Sequence, residues 1–378
     1  MCHRAAVTAL LCVLWAGVAF GQDLTVTPSI TIEERYDSNV RFNGKSENNR
    51  HDWISSASPL IRISRKRERY NLDASYRLDA NYHSLNTDLN NFTHRATLDY
   101  GLNLTARTKI NLGDTYDYTV DSLRATNTGI LVTRTDITAN TLSLGVVHAM
   151  TQNSDIGVTL KEATLGFDDP ALLDTRTDSA ELAYGYLFGP KEKVRFSYTF
   201  SNYHFNTDGS NVETHSLKAG IKDEVAPTMT VDVSGGTVFT RGTNGDDYYL
   251  LASAGIEKIY KDSALTLSYT REVTNPTGLT DQISISDRVN FIIAQTISRE
   301  LTAEISGNVA KNRTEPSHNV DINSYNAAIN GKWQPYRWMY LGTGISHYQQ
   351  WSKDNLGTGL ARNIVYLNVT FVGNEWRF

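Results

Sequence analysis

The chain has 378 residues, with 36 Lys and Arg against 41 Asp and Glu and a formal net charge of −5. This balance lacks the basic excess of a nucleic-acid-binding protein, so no nucleic-acid partner is expected. Mean hydropathy is −0.37, and no apolar run of about 18 residues follows residue 21, which excludes a membrane-spanning helix after that point.

The first 21 residues read as a signal peptide. Arg4 supplies a positive start, residues 5–20 are almost wholly apolar, and Ala19 and Gly21 precede a cleavage point ahead of Gln22. We therefore expect a signal peptide over 1–21 and a single mature domain over 22–378.

Both cysteines, Cys2 and Cys12, lie in the segment expected to be removed. The mature chain would then contain no thiol, which excludes disulfides and cysteine-ligated metals and suits passage through an oxidising periplasm.

From residue 24 onward, apolar and polar residues alternate in segments of 12 to 15 residues. In the clearest one, residues 70–82, Leu72, Tyr76 and Leu78 have one parity, and Asp73 and Arg77 have the other. Because side chains alternate between the two faces of a strand, one face is apolar and the other is charged. One exception is Asp287, which interrupts the apolar face of its segment.

The pattern predicts eighteen strands, with sixteen as the alternative count. They lie near 24–35, 52–64, 69–83, 92–106, 108–120, 138–150, 155–167, 176–188, 193–206, 212–225, 228–240, 247–260, 263–274, 282–297, 300–313, 321–334, 337–352 and 362–378.

Connectors between these strands alternate between short and long. The long ones are rich in Asn, Asp, Gly, Ser and Thr and are predicted at 36–51, 84–91, 121–137, 168–175, 207–211, 241–246, 275–281, 314–320 and 353–361. Outer-membrane barrels have short periplasmic turns and long external loops. Both termini are therefore expected on the periplasmic side.

Strand length and backbone chemistry favour a membrane barrel over a soluble sandwich. The segments exceed the usual soluble strand length of about 5 or 6 residues. In hydrocarbon every backbone polar group must be paired, and a closed barrel achieves this because it has no edge strand. The expected fold is an all-β, up-and-down antiparallel transmembrane barrel in the outer membrane of a Gram-negative bacterium.

Aromatic residues near the strand ends are expected to form the two interface girdles. Those near short turns are Phe188, Tyr260, Trp333, Tyr336, Trp338 and Trp376. Those near long loops are Trp53, Tyr82, Phe92, Tyr118, Phe167, Phe239 and Tyr248.

The C-terminus ends in Trp376-Arg377-Phe378. A final Phe preceded two residues earlier by an aromatic resembles the C-terminal signature of bacterial outer-membrane proteins, which implies recognition of Trp376 and Phe378 by the barrel-assembly machinery. The apolar residues of the last strand have odd numbers, whereas Trp376 and Phe378 have even numbers. A bulge near Gly373 would reconcile the two parities.

The mature N-terminus resembles a known family. Residues 26–40, with Tyr36-Asp37-Ser38-Asn39-Val40, together with Ser58-Pro59 and the strand 76–82, are similar to β-barrel porins found beside exopolysaccharide and exosortase loci in Gram-negative bacteria. The resemblance implies an outer-membrane barrel tied to polysaccharide secretion. It brings no catalytic residues.

At about sixteen to eighteen strands a barrel is wide enough for an aqueous channel, so the polar face is the candidate functional surface. Its charged members are expected to line the lumen: Asp73, Arg77, Asp79, Asp99, Lys161, Arg195, Lys218, Lys222, Arg288, Glu304 and Lys332. The alternative is that such residues merely neutralise one another across neighbouring strands. Whether a long loop such as 121–137 folds inward as a constriction stays open.

No enzyme motif is present. The sequence lacks Gly-x-Ser-x-Gly, His-Glu-x-x-His and a phosphate-binding loop. Asp168-Asp169 and Gly245-Asp246-Asp247 lack the spacing of a calcium loop. We therefore expect no catalytic activity, cofactor or metal.

Three functions remain open from the sequence. The favoured one is a channel that exports exopolysaccharide or passes polar solutes, with a general diffusion porin for small solutes as its variant. The second is a non-transporting surface or assembly protein of a polysaccharide system. The third, an outer-membrane hydrolase, would need a Ser/His/Asp cluster in space. Expected partners are outer-membrane lipid, the barrel-assembly machinery, periplasmic polysaccharide-export proteins and polysaccharide.

Overall fold

The computed structural model describes residues 24–44, 51–126, 128–207, 211–242, 245–315, 317–353 and 359–378. The predicted signal peptide, 1–21, lies outside these residues. Within them, no helix has the length and apolarity needed to span a bilayer.

Eighteen long strands of 12 to 16 residues form the barrel, confirming the predicted fold and strand count. They are β1 Thr25–Asp37, β2 Asp52–Lys66, β3 Tyr70–His83, β4 Asn91–Asn103, β5 Thr108–Thr119, β6 Ile137–Ala149, β7 Ser154–Phe167, β8 Thr175–Leu187, β9 Lys193–Phe205, β10 Asn211–Ala226, β11 Met229–Gly242, β12 Gly245–Ile259, β13 Ser263–Thr274, β14 Ser284–Thr296, β15 Leu301–Thr314, β16 Asp321–Tyr336, β17 Met339–Ser352 and β18 Leu360–Val372. A two-residue strand, β19 (Trp376–Arg377), a 3-10 turn (Thr87–Leu89) and a short helix, α1 (Ser122–Ala125), complete the described elements.

Each strand pairs antiparallel with its neighbours in the chain, and the last strand closes the ring on the first. At this seam β1 pairs with β18 from Ser29↔Val372 to Asp37↔Ile364. Closure pairs the backbone groups that an edge strand would expose.

The expected bulge lies at the end of this seam. β19 pairs with β1 at Val26↔Trp376, so two residues of β1 face three residues of the last strand between this pair and Ser29↔Val372. The Gly373 amide donates to the Pro28 carbonyl at 2.8 Å. The extra residue reverses the parity, and Trp376 and Phe378 face outward, with 56% and 62% of their surfaces exposed.

The outside of the barrel is apolar, as the alternation predicts. Exposed large side chains on this face include Ile32, Leu144, Leu182, Leu217 and Leu367. Most predicted girdle residues are also exposed, among them Trp53, Tyr82, Phe92, Phe188, Tyr248, Tyr260, Trp333, Tyr336, Trp338 and Trp376.

Three local features differ from the simple pattern. Phe167 is not a girdle residue, because it packs against a buried apolar cluster formed by the loops. The connector predicted at 241–246 is not long, because pairing between β11 and β12 continues to Gly242↔Gly245. Asp287 does face outward, where it accepts hydrogen bonds from Tyr269 and Arg271.

Candidate functional site in the barrel lumen

The connection between β5 and β6 folds into the barrel; we call its described residues, 120–126 and 128–136, the inward loop. Its side chains and backbone bind polar residues of β3, β5 and β18 and, beyond them, β15, β16 and β17. Because β5 and β15 lie on nearly opposite sides of the ring, the loop crosses the lumen. The constriction that the sequence left open is therefore present.

The base of the inward loop is held by a buried ion triad. The Arg362 guanidinium donates to Asp37 Oδ2 from Nε and Nη2 at 3.0 and 2.8 Å, and to Asp121 Oδ2 from Nη1 at 2.6 Å. The Arg362 and Asp37 side chains are only 8% and 1% exposed. Two carboxylates on one fixed guanidinium provide strong, directional charge-assisted bonds, and the triad joins the loop to the β1–β18 seam.

The helix of the inward loop, α1, makes a second charged contact with the wall. Arg124 donates to Asp79 Oδ2 at 2.9 Å and to Asp117 Oδ1 at 3.3 Å. Arg77 also contacts Asp79, and Arg95 contacts Asp117. This network spans β3, β4 and β5, so the loop base and one wall of the lumen share their charges.

The tip of the inward loop is held by neutral groups instead. Gln350 accepts from the Leu131 amide at 2.9 Å and donates to the Leu131 carbonyl at 3.0 Å. Ser324 and the Tyr348 hydroxyl donate to the Gly129 carbonyl at 2.7 and 2.9 Å. These bonds satisfy backbone groups that burial would otherwise leave unpaired.

Gly129 is required at this tip. Its φ is +75°, and a Cβ there would be 3.0 Å from Ala310 Cβ and 3.1 Å from Ser324 Oγ. Both the left-handed backbone and the close approach to the wall favour glycine.

Apolar packing adds to the polar contacts. Ile130, Val132 and Leu172 form one buried cluster with residues of the β15–β16 region, and Leu131 joins a second with Phe42 and Leu360. Ile130 and Leu131 are 0% and 1% exposed. The long loops therefore pack together over the upper half of the lumen, which we define as the half nearest the long loops.

Arg134 closes the C-terminal side of the inward loop. It donates to the carbonyls of Val40 and Leu89 at 3.0 and 3.3 Å. Burial, together with the nearby Arg362 charge, lowers the pKa of the Arg134 guanidinium to about 10, so the side chain stays protonated at neutral pH.

Two cavities among the described residues of the lumen bear on the constriction. The smaller, about 150 Å³, lies beside the inward loop and is lined by charged residues including Arg35, Arg77 and Asp121. The larger, about 840 Å³, lies in the lower half, towards the short turns, and is lined by β1, β2 and β13–β18. The lumen is thus narrow at the loop and wide below it.

The pairing register shows where the predicted lumen residues point. Residues directly opposite on neighbouring strands share a face, and Asp79 and Arg362 mark the inward face because they bind the inward loop. By register, all eleven predicted residues lie on this face: Asp73, Arg77, Asp79, Asp99, Lys161, Arg195, Lys218, Lys222, Arg288, Glu304 and Lys332.

The eleven predicted lumen residues differ in whether they form salt bridges. Salt bridges link Asp73 to Arg62, Arg77 to Asp79, Arg195 to Glu181 and Arg288 to Glu272. Lys332 lies 4.0 Å from the centre of the Tyr340 ring. Within the described residues, no salt bridge reaches Asp99, Lys161, Lys218, Lys222 or Glu304. Of the eleven, Arg77 and Asp79 line the cavity beside the inward loop.

Sequence analysis did not single out the residues that hold the inward loop, Asp37, Asp121, Tyr348, Gln350 and Arg362. A signal was present in residues 129–132, Gly-Ile-Leu-Val, an apolar run inside an otherwise polar connector. Loops exposed to water are usually polar, so this apolar run indicates that the loop is buried.

The sequence comparison matches the N-terminal part of the chain to a known family. Residues 16–181 match the family described as "Putative beta-barrel porin 2", in agreement over that segment with the resemblance to β-barrel porins. The matched segment extends from before β1 into β8. The matching family is one of porin-like channels, and the closed barrel with its apolar outside resembles that of an outer-membrane protein.

Several solved barrels are similar in structure. OccAB4 of Acinetobacter baumannii has 10% identity and a TM-score of 0.49, with 93% of this chain and 98% of that chain covered. The outer membrane protein OpdK of Pseudomonas aeruginosa has 9% identity and a TM-score of 0.47, with 93% and 99% covered. The FrpB iron transporter of Neisseria meningitidis has 8% identity and a TM-score of 0.49, with 92% and 81% covered. No curated protein sequence matches significantly.

Proposed function

We propose that this protein is an outer-membrane channel for small polar solutes and that the inward loop sets its size limit. The observation that carries the proposal is the inward loop, fixed by side chains from both sides of a closed, polar-lined barrel. An eighteen-stranded barrel is wide enough for water and solutes, and a loop across its lumen narrows it.

The lining favours uncharged or charge-balanced solutes. Five arginines and four carboxylates line the cavity at the constriction, and Arg124 and Arg362 form salt bridges with Asp79, Asp117 and Asp121. Selectivity for one sign of charge needs a ring or patch of the opposite sign, and these paired charges do not supply one.

Exopolysaccharide export is the second candidate function, favoured by the family resemblance and by the lower cavity of about 840 Å³. A polymer chain needs a continuous path, and the cavity beside the inward loop is about 150 Å³. Export of a polymer therefore requires the loop to leave the lumen, with periplasmic polysaccharide-export proteins as the partners that would deliver the chain.

Orientation and assembly belong to the same proposal. The starts of β1 and β19 pair at the short-turn end, which in an outer-membrane barrel faces the periplasm. We place both termini there, with Trp376 and Phe378 as the recognition signal for the barrel-assembly machinery and the apolar outside against outer-membrane lipid.

The test is conductance of the purified mature chain in planar bilayers, followed by swelling of proteoliposomes in neutral sugars of increasing size. We expect ion conductance and a permeability that falls steeply above the size of a disaccharide. A barrel without conductance contradicts the channel and favours the non-transporting surface protein.

A cellular experiment separates the two cargoes. Secreted polysaccharide is measured in a strain lacking the gene and in the same strain carrying the wild-type chain. Loss of polymer that the wild-type gene restores supports export; unchanged polymer together with a conducting channel supports passage of small solutes.

A further inference from the structure

We infer that Tyr366 is the platform of a saccharide-binding subsite in the lower half of the lumen. The inference rests on the proposed function, because the subsite needs a hydrated lumen that solutes enter. It adds a place at which the wall holds the solute and the chemical class of that solute.

The Tyr366 side chain lies flat against the barrel wall. Its hydroxyl donates to Asn330 Oδ1 at 3.0 Å, two strands away on β16. The ring crosses Gly344 on the intervening strand β17, where a Cβ would be 2.5 Å from Tyr366 Cε1. One ring face therefore covers Gly344, and the other faces the cavity.

Hydrogen-bonding groups flank this ring in a row across the strands. The register places Glu304 opposite Asn330, Asn330 opposite Gly344, and Gly344 opposite Tyr366. Within the described residues, the Glu304 carboxylate and the Asn330 amide nitrogen have no hydrogen-bond partner, and both residues line the cavity. They supply an acceptor and a donor beside the ring.

The next row of the wall is also flat and polar. Asn368 lies over Gly342, where a Cβ would be 2.4 Å from its Oδ1, and donates to Glu33 at 3.4 Å. Lys332, at the end of this row, is held over the ring of Tyr340. Because Gly342 and Gly344 have no side chains, Asn368 and Tyr366 can lie flat on the wall. The wall therefore presents a ring face and amide groups to the cavity.

This combination fits a sugar better than an ion. A pyranose has a face of C–H groups that packs on an aromatic ring, and a rim of hydroxyls that both donate and accept hydrogen bonds. An anion would need free cations, but the basic residues of this cavity are Lys332, which contacts Tyr340, and Lys261, which lies in a turn. The cavity volume of about 840 Å³ lies in the range of small-ligand sites, roughly 300 to 1,000 Å³.

Isothermal titration calorimetry of the detergent-solubilised mature chain with maltotriose tests the inference without requiring conductance. We expect measurable binding by the wild type. Tyr366→Leu removes the ring face and should weaken the association constant about tenfold, the order expected for one aromatic contact.

Two further variants distinguish loss of the Tyr366 contact from general misfolding of the barrel. Gly344→Ala keeps Tyr366 but places a Cβ where the ring lies, so it should weaken binding as well. Tyr249→Leu removes another inward-facing tyrosine, on β12, and should leave maltotriose binding unchanged.

Failure of this inference and failure of the proposed function give different results. No binding by the wild type, or equal binding by wild type and Tyr366→Leu, overturns the subsite even if the channel conducts. Binding that depends on Tyr366 in a barrel without conductance supports the subsite as a site and contradicts the channel.

Discussion

The upper and lower halves of the lumen are built from the same strands, but their inward side chains have different surroundings. In the upper half, inward side chains such as Asp37, Asn312 and Gln350 are buried and bound to the inward loop or its neighbours. In the lower half, Glu304 and Lys332 line an open cavity. An identical alternation of polar and apolar residues therefore yields fixed packing where a loop covers it and a solvated surface where none does.

This contrast predicts that substitutions in the upper half lower the free energy of unfolding more than substitutions in the lower half. Arg362→Met should have the largest effect, because it leaves Asp37 buried without its partner and releases Asp121. Breaking a buried ion pair from one side costs about 3 kcal/mol or more. Urea unfolding of the folded barrel in lipid vesicles measures the change in free energy.

Arg62→Met is the matched control, since Arg62 pairs with Asp73 in the lower half and its side chain is 59% exposed. Exposed pairs contribute about 1 kcal/mol or less. Equal losses in the two variants would show that the halves do not differ.

Gln350→Leu should have the next largest effect. It removes both hydrogen bonds to Leu131 and leaves a buried amide and carbonyl unpaired, which costs about 2 kcal/mol. Gln349, one residue earlier on the outward face, accepts a hydrogen bond from Tyr325, so Gln349→Leu should change the unfolding free energy much less. The same unfolding assay compares them; a larger loss in Gln349→Leu would argue against a loop bound at Gln350.

Gly129→Ala sharpens the account of the loop tip. The left-handed backbone costs alanine about 1 to 2 kcal/mol, and the new Cβ would meet Ala310. Gly235→Ala is the control because nothing lies within 4 Å of its Cβ position. Stability of both variants is measured by thermal unfolding on gels, and a stabilised Gly129→Ala would mean that the tip is not held as described.

Lys218→Gln should have the smallest effect on stability, under about 0.5 kcal/mol, because Lys218 has no ion pair among the described residues. Its charge faces the lumen, so its loss should shift the reversal potential in a salt gradient towards cations. An unchanged reversal potential would place Lys218 outside the conducting path, and a clear loss of stability would contradict the absence of a charged partner.

The fold was predictable because one physical constraint repeats in every strand. Lipid outside and water inside demand a residue-by-residue alternation, which gave the strand number and the facing of all eleven lumen residues. The bulge at Gly373 was predictable for the same reason, since the change of parity between Phe371 and Trp376 demands an extra residue.

The inward loop was not predictable in the same way. Its position depends on contacts between residues far apart in the chain, such as Leu131 with Gln350 and Asp121 with Arg362. Sequence alternation placed Arg362 and Gln350 on the polar face but carried no information about which loop would bind them. The facing of Phe167 was misjudged although alternation indicates it, because Phe167 has the same parity as Lys161 on β7; only the buried cluster against which it packs depends on distant contacts.

The most direct test of the constriction is the single-channel conductance of a chain in which residues 122–133 are replaced by Gly-Gly-Ser. With the loop gone, the lumen of an eighteen-stranded barrel is open, and conductance should rise at least roughly twofold over the wild type. A conductance equal to that of the wild type would show that the loop does not limit the pore.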